Sequence, residues 1–438
     1  MGLKMLRDDV KLYPYQHIGT AFIKEHRYVL IGDEMGLGKT LQAIAAMVEL
    51  EQVLVVCPAM LRVTWEKEVR KFSNMSVRKV LVNFDYSRIP KIVVVSYEGL
   101  KNIPRDLNPD MVVFDECHYL KNPKAARTKA AHEFIWEVRP EYCVGLSGTP
   151  IRNNVGEFYS ILKMLSYNPV SSNGMPIAEK SQYAFSLRFS QPITRTITIG
   201  KKGKDDRRRT IEITEFKGLR NKEVLKKYLK NKYIRRTSKG VLDLPPLVSK
   251  TINLTDRDSP TSKLLLEEWN RWVKEGKMGE HTTQLKVASA MEKVPYTCKY
   301  LFNMLEQGEK VVLFSDHIAP ITAIMNTLIK ANIKCGRITG QDTQKARQEA
   351  IEEFQSGSSR VLCCSIKAAS TGLTLTAARN LVFNDLSWTP GDIEQARKRI
   401  HRIGQDHACF IHYMSMGDID SNIQEKLREK AELMRKIL

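Results

Sequence analysis

No stretch of this chain is apolar over the roughly 18 residues needed to cross a bilayer, and no apolar segment follows Met1-Gly-Leu-Lys-Met-Leu6 to serve as a secretory leader. Leu6 also breaks the myristoylation pattern at Gly2. The eight cysteines (57, 117, 143, 298, 335, 363, 364 and 409) include no C-x-x-C pair and no Cys/His ligand spacing, which excludes a disulfide framework and a zinc module. Several lie inside apolar, strand-like runs, as buried free thiols do, so a soluble protein of a reducing intracellular compartment is expected. Acidic residues are the other shortage. Against 69 Lys plus Arg stand only 49 Asp plus Glu, a net charge of +20. Such an excess answers a polyanion such as DNA or RNA, or is merely a soluble basic surface. Charge alone does not separate the two.

What is present is a repeated rhythm. Short β-branched runs at 28–31, 53–56, 92–96, 111–114 and 142–146 alternate with helical stretches such as 40–50 and 62–72, the pattern of a parallel sheet built from βαβ units. It restarts at 311–314 and continues through 334–338, 360–364, 381–384 and 408–414, so two α/β lobes are expected. Between them, over about 168–295, the rhythm breaks. Ile193-Thr-Arg-Thr-Ile-Thr-Ile199 and Thr210-Ile-Glu-Ile-Thr214 alternate at period two around a basic run ending at Arg209, which predicts a hairpin. Its tip is either a solvated loop or a prong for a nucleic-acid backbone. A basic helix over 221–233 follows, Leu244-Pro-Pro246 marks an extended linker, and spacing near 3.6 over 419–438 predicts a closing helix.

Chemistry enters at Asp33-Glu-Met-Gly36-Leu-Gly38-Lys39-Thr40, between a strand and a helix, the context of a phosphate-binding loop. Gly36 and Gly38 let backbone N–H groups converge on phosphate oxygens, Lys39 adds charge, and the Thr40 hydroxyl can ligate magnesium. Asp33 stands where the general pattern has glycine. Downstream, the apolar run 111–114 ends in Asp115 and Glu116, one carboxylate to hold Mg2+ and one to polarise a water. Nucleoside triphosphate hydrolysis is the chemistry this pair of motifs expects.

Far along the chain, Gln395-Ala-Arg-Lys-Arg399-Ile-His-Arg402-Ile-Gly-Gln405 sets two arginines at helical spacing, suited to meet a transferring phosphoryl group in one conformational state. Together with the loop at 33–40, Asp115-Glu-Cys-His118, Leu120-Lys-Asn122 and Leu146-Ser-Gly-Thr-Pro150, this run resembles the Swi/Snf-type ATPases of helicase superfamily two, from Leu12 to about Leu438.

The resemblance implies two RecA-like parallel-sheet lobes in tandem with a helical and hairpin insertion: 1–167 the first lobe, 168–245 the insertion, 246–294 a linker and second-lobe insertion, and 295–438 the second lobe. It implies ATP and Mg2+, with Gln16 reading adenine, Gln395 lining the nucleotide site, Thr40 and Asp115 holding the metal, Glu116 acting on water, and Arg399 and Arg402 as catalytic cations. Pro58, Ser96, Lys121, Asn122, Arg152, Ser315, Thr371 and Trp388 are the implied nucleic-acid contacts. Trp65 is either part of the strand-gripping segments or a staple of its helix onto the sheet, and Trp388 either a DNA contact or a buried aromatic.

Family members move along duplex DNA without separating its strands. The expected function is therefore an ATP-dependent double-stranded DNA translocase, acting as a monomer on forks, junctions or protein–DNA complexes; the alternative is a strand-separating DNA or RNA helicase. With about 24 residues after the last strand-like run, histone-reading domains are not expected, and the pattern resembles the HepA-related branch that includes annealing helicases, as in a compact viral or bacterial member. A non-hydrolysing scaffold is disfavoured by the presence of Lys39, Thr40, Asp115, Glu116, Arg399 and Arg402 together.

Overall fold

The computed structural model describes residues 6–80, 89–151, 154–167, 177–199, 209–254, 282–368 and 373–416, with scattered positions between 264 and 271 and between 420 and 432. The chain divides into two compact units, the first running essentially to Thr237 and the second from Ser238 onward.

The first unit is built on β1 (Tyr28–Ile31), β2 (Val53–Cys57), β3 (Val77–Lys79), β4 (Ile92–Ser96), β5 (Met111–Asp115) and β6 (Tyr142–Leu146). A hairpin of β7 (Gln191–Ile199) and β8 (Arg209–Lys217) and a short β9 (Tyr233–Ile234) follow. The sheet order is β3-β4-β2-β5-β6-β1-β9, every pairing parallel. Its strands are apolar in succession because both faces are covered. Leu54, Val56, Val93, Val95, Val112 and Phe114 enter one core, while Val53, Val55, Ile92, Val94, Met111 and Val113 enter the other. The alternation is the period of two that a pleated strand imposes.

In the second unit β10 (Leu247–Asn253), β11 (Val311–Ser315), β12 (Cys335–Ile338), β13 (Val361–Ser365), β14 (Asn380–Phe383) and β15 (Cys409–Ser415) form a parallel sheet ordered β10-β15-β14-β11-β13-β12. Val312, Phe314, Leu381 and Phe383 face one core; Val311, Leu313, Val361 and Val382 face the other. Both units are thus parallel-sheet α/β lobes, as the strand rhythm indicated, and RecA-like, as the resemblance implied. The stretch 246–294, read as linker and insertion, contributes β10 to the sheet edge. Residues of β10 are mostly exposed, which is why its hydropathy did not mark it as a strand.

The hairpin forms in the register Ile193↔Glu215 and Thr196↔Glu212, while its basic tip at 201–208 lies outside the described residues. The basic helix is shorter than expected, Lys222–Leu229, because the chain turns into β9. Most of 419–438 also falls outside the described residues.

His132, half-buried in the first lobe, and His412, buried in the second, are both held neutral. His132 lies between the Tyr167 hydroxyl (3.0 Å) and Ser160 Oγ (3.1 Å). His412 Nε2 donates to Asn380 Oδ1 (3.2 Å), leaving Nδ1 to accept from the Tyr300 hydroxyl (3.0 Å). Burial, aided by the Lys163 charge for His132 and by Lys250 for His412, lowers both to about 4. Between pH 6.5 and 4 the unfolded chain therefore binds protons that the folded lobes refuse. The stabilisation is complete above pH 6.5 and is lost as pH falls towards 4, by up to about 3 kcal/mol per histidine. Denaturant midpoints should drop between pH 7.5 and 5, and His412→Gln should flatten that dependence; a pH-independent midpoint would refute it.

Candidate active site

Parallel pairing sends every strand of the first lobe's seven-stranded sheet in one direction, so the segments leaving β1, β2, β4, β5 and β6 gather at a single edge. The phosphate loop leaves β1 there. Gly36 and Gly38 adopt left-handed backbone (φ 86° and 69°), open only to residues that bear no side-chain strain, and Gly38 opens the helix Lys39–Ala46. A Cβ on Gly38 would lie 2.5 Å from Gln16 Nε2, so the loop packs directly against the segment expected to read adenine. Gln16 itself is buried, and its Oε1 accepts the Tyr13 N–H at 2.9 Å.

Lys39 Nζ donates to the carbonyls of Asp33 (2.8 Å) and Glu34 (3.3 Å). Burial lowers its pKa, opposed by the negative charges of Glu116, Asp33 and Asp115, in that order. Asp115 shows the converse. Burial and the neighbouring Glu116 charge push it up to about 7, against hydrogen bonds from Trp65 and the Glu116 N–H and the Lys39 charge. One lysine and a pair of carboxylates therefore share a poorly solvated space.

The supporting contacts are specific. Trp65 Nε1 donates to Asp115 Oδ2 at 2.8 Å, and the Tyr97 hydroxyl donates to the Asp115 carbonyl at 2.8 Å. Both rings are buried, so Trp65 does staple its helix to the sheet and also orients the acid. Glu116 is left-handed (φ 49°, ψ 48°), an uncommon conformation for a non-glycine residue that begins the turn Cys117–Leu120. His118 Nδ1 lies 3.2 Å from Glu116 Oε2 and 3.1 Å from Ser147 Oγ, bridging the ends of β5 and β6. Carboxylates, the Thr40 hydroxyl, a lysine and a helix start behind two left-handed glycines suit a magnesium–triphosphate.

Of the expected nucleic-acid contacts in this lobe, Asn122 is exposed, with its Oδ1 accepting the Lys124 N–H, whereas Pro58 is buried at the end of β2. Lys121 pairs with Glu157 at 3.0 Å, and Ser96 is buried with Oγ accepting the Gly99 N–H. Arg152 lies outside the described residues.

In the second lobe the helix Pro390–Arg397 ends before either arginine. Arg399 and Arg402 are brought together by the following turn, not by a continuous helical face as their spacing suggested. Both donate to the Leu373 carbonyl, at 3.3 and 3.0 Å. Gln405 fixes the turn through Thr376, Ala378 and Ile400 carbonyls, and Gln395 is fully buried. Ser315 is buried; its hydroxyl donates to Asp385 Oδ1 and its oxygen accepts the His317 N–H at 3.3 Å. Trp388 is partly buried beneath the Lys286 ammonium, 5.4 Å from its ring, and Thr371 lies outside the described residues.

Two parallel-sheet lobes in tandem, the first carrying this cradle at its carboxyl edge, define the two-lobed helicase-type ATPase class. Within that class the chain belongs to the SNF2-related family: the SNF2-related domain matches residues 15–292, and the helicase conserved C-terminal domain matches residues 292–404. It is similar to mouse (Mus musculus) DNA annealing helicase and endonuclease ZRANB3, 28% identical over 97% of this chain and 40% of that protein. It is also similar to the SWI/SNF-related matrix-associated actin-dependent regulator of chromatin subfamily A-like protein 1 of Drosophila melanogaster, 29% identical over 98% of this chain and 56% of that protein. The chain thus spans about half the length of these relatives or less. The Sulfolobus solfataricus SWI2/SNF2 ATPase core in complex with dsDNA aligns over 100% of this chain and 94% of its own, with 24% identity and a TM-score of 0.44.

Trp65 was legible only as an aromatic on a helix, since nothing in sequence ties it to an acid 50 positions away. Trp65→Phe keeps the ring and removes the donor. The Asp115 carboxyl should then titrate about one to two units higher, as a charge-assisted hydrogen bond of about 1.5–3 kcal/mol requires. Carbon-13 NMR of labelled aspartate reads this, and an unmoved titration would show that Trp65 does not orient the acid.

Proposed function

We propose that this chain is an ATP-dependent translocase on double-stranded DNA that remodels forks, junctions or protein–DNA complexes. The observation that carries the reading is the electrostatic cluster of Lys39 with Asp115 and Glu116 at the carboxyl edge of a family-typical first lobe. In this reading Lys39 and the backbone of the phosphate loop bind the β- and γ-phosphates. Gln16 contacts the adenine and Gln395 lines the site from the second lobe. Thr40 and Asp115 hold Mg2+, which when bound neutralises charge developing on the phosphoryl oxygens.

Glu116 polarises the attacking water, and His118 couples its position to Ser147 just past the end of β6. Arg399 and Arg402, carried by the second lobe, supply cations to the transition state. Duplex DNA as the track is supported by the +20 charge and by family membership. The names of the relatives, an annealing helicase among them, favour remodelling over strand separation. Asn122, Trp388 and the segments that follow β2 and surround Arg152 and Thr371 are the proposed backbone contacts, and the motor acts as a monomer. Backbone tracking carries little base readout and strong salt dependence.

Lys39→Ala and Glu116→Gln should each lower duplex-stimulated ATP hydrolysis by about a hundredfold or more, given what removal of one charge-stabilising or water-activating group costs. Triplex displacement should fail with them, while the parent displaces triplex without unwinding a forked duplex. ATPase rates compared on single-stranded, duplex, forked and four-way-junction DNA test the track. Unchanged hydrolysis in both variants would refute the site, and forked-duplex unwinding by the parent would refute duplex translocation.

A further inference from the structure

Asp33 occupies a position that phosphate loops ordinarily give to glycine, and it is fully buried. A buried carboxylate without a partner costs several kcal/mol, so the chain must bring a cation to it. That cation is Arg236, 203 positions later. Its backbone N–H and Nε donate to Asp33 Oδ1 at 3.0 and 2.9 Å, and Nη2 donates to Oδ2 at 2.5 Å. Gln42 Nε2 completes the carboxylate at 3.0 Å, and Arg236 Nη2 donates to Gln42 Oε1 at 2.9 Å. Nη1 donates to the Tyr15 carbonyl, with the guanidinium 5.6 Å from the Tyr15 ring.

The backbone around Arg236 follows the loop as well. Gly32 N–H donates to the Ile234 carbonyl (2.8 Å) and Glu34 N–H to the Arg236 carbonyl (2.9 Å), extending the β1–β9 ladder past the end of β1. A Cβ on Gly32 would come within 2.2 Å of the Tyr233 ring. One strap, 233–236, therefore touches the segment before β1, the start of the phosphate loop and the helix after it. Thr237, the next residue, is where the first unit of the chain ends.

We infer that Arg236 is a positioning residue for ATP hydrolysis: through Asp33 it sets the phosphate-loop shape that receives the triphosphate, and it ties that shape to the chain leaving the first lobe. This rests on the ATP-hydrolysing reading of the same loop. Arg236 does not touch the reacting atoms. Its effect is on how Lys39 and the loop amides are presented, since Lys39 Nζ is itself held by the Asp33 carbonyl.

The test uses the full chain with saturating duplex DNA and compares Arg236→Lys, which keeps the charge and loses the bidentate fork, with the double substitution Asp33→Asn and Arg236→Gln, which leaves no buried charge unpaired. Thermal melting, KM for ATP, kcat and triplex displaced per ATP hydrolysed are measured. A folded Arg236→Lys chain should raise KM for ATP about tenfold and displace less triplex per ATP, and the double variant should be impaired more than twofold but no more than Arg236→Lys. Kinetic constants and displacement per ATP within twofold of the parent, in either folded variant, would overturn the assignment. Loss of folding in both would make the pair purely structural and overturn it equally. A parent lacking Lys39-dependent hydrolysis overturns the site reading and the inference with it, and is told apart because the parent itself is inactive.

Discussion

Everything at the candidate site depends on parallel hydrogen-bonded pairing in a sheet covered on both faces. Parallel strands end at one edge, so segments far apart in sequence emerge side by side: the phosphate loop after β1, Asp115 and Glu116 after β5, Ser147 after β6. The same constraint explains the composition of the strands. Helices must return the chain across each face, both faces are dry, and the central strands become unbroken runs of Val, Ile, Leu and Phe.

A dry edge makes charges interact strongly. Asp115 rises to about 7 and Lys39 is lowered by the same burial, while each opposes the shift of the other. Groups in such a setting need fixed partners, and the fold supplies them from distant parts of the lobe. Trp65 and Tyr97 hold Asp115, His118 lies between Glu116 and Ser147, and Arg236 neutralises Asp33. The second lobe repeats the sheet but uses its turn after 397 differently, drawing Arg399 and Arg402 to one carbonyl.

Much of this was legible in the linear chain, and the exceptions share a physical cause. Central strands announced themselves by apolar β-branched runs between helices, so β1, β4 and β6 begin and end where those runs do. Three of the four edge strands did not, β12 being the exception. β3 and β9 are too short, and β10 too exposed, to carry a hydropathy signal, since only one side of an edge strand pairs. The spacing of Arg399 and Arg402 read as a helical face because three residues bring side chains together in a helix and in a tight turn alike. The helix stops at Arg397, and only the structure distinguishes the two.

By itself the sequence determined the class of fold, the order of its parts and the family, because buried parallel strands and glycine-bearing phosphate loops tolerate few residue types. Tertiary structure decided how the charged residues are held. That information is absent from any local window, since the partner of Asp33 lies 203 positions away and the donor to Asp115 lies 50 positions before it. Sequence names the charges; only the packed sheet edge, where solvent no longer screens them, determines which neighbours they must have.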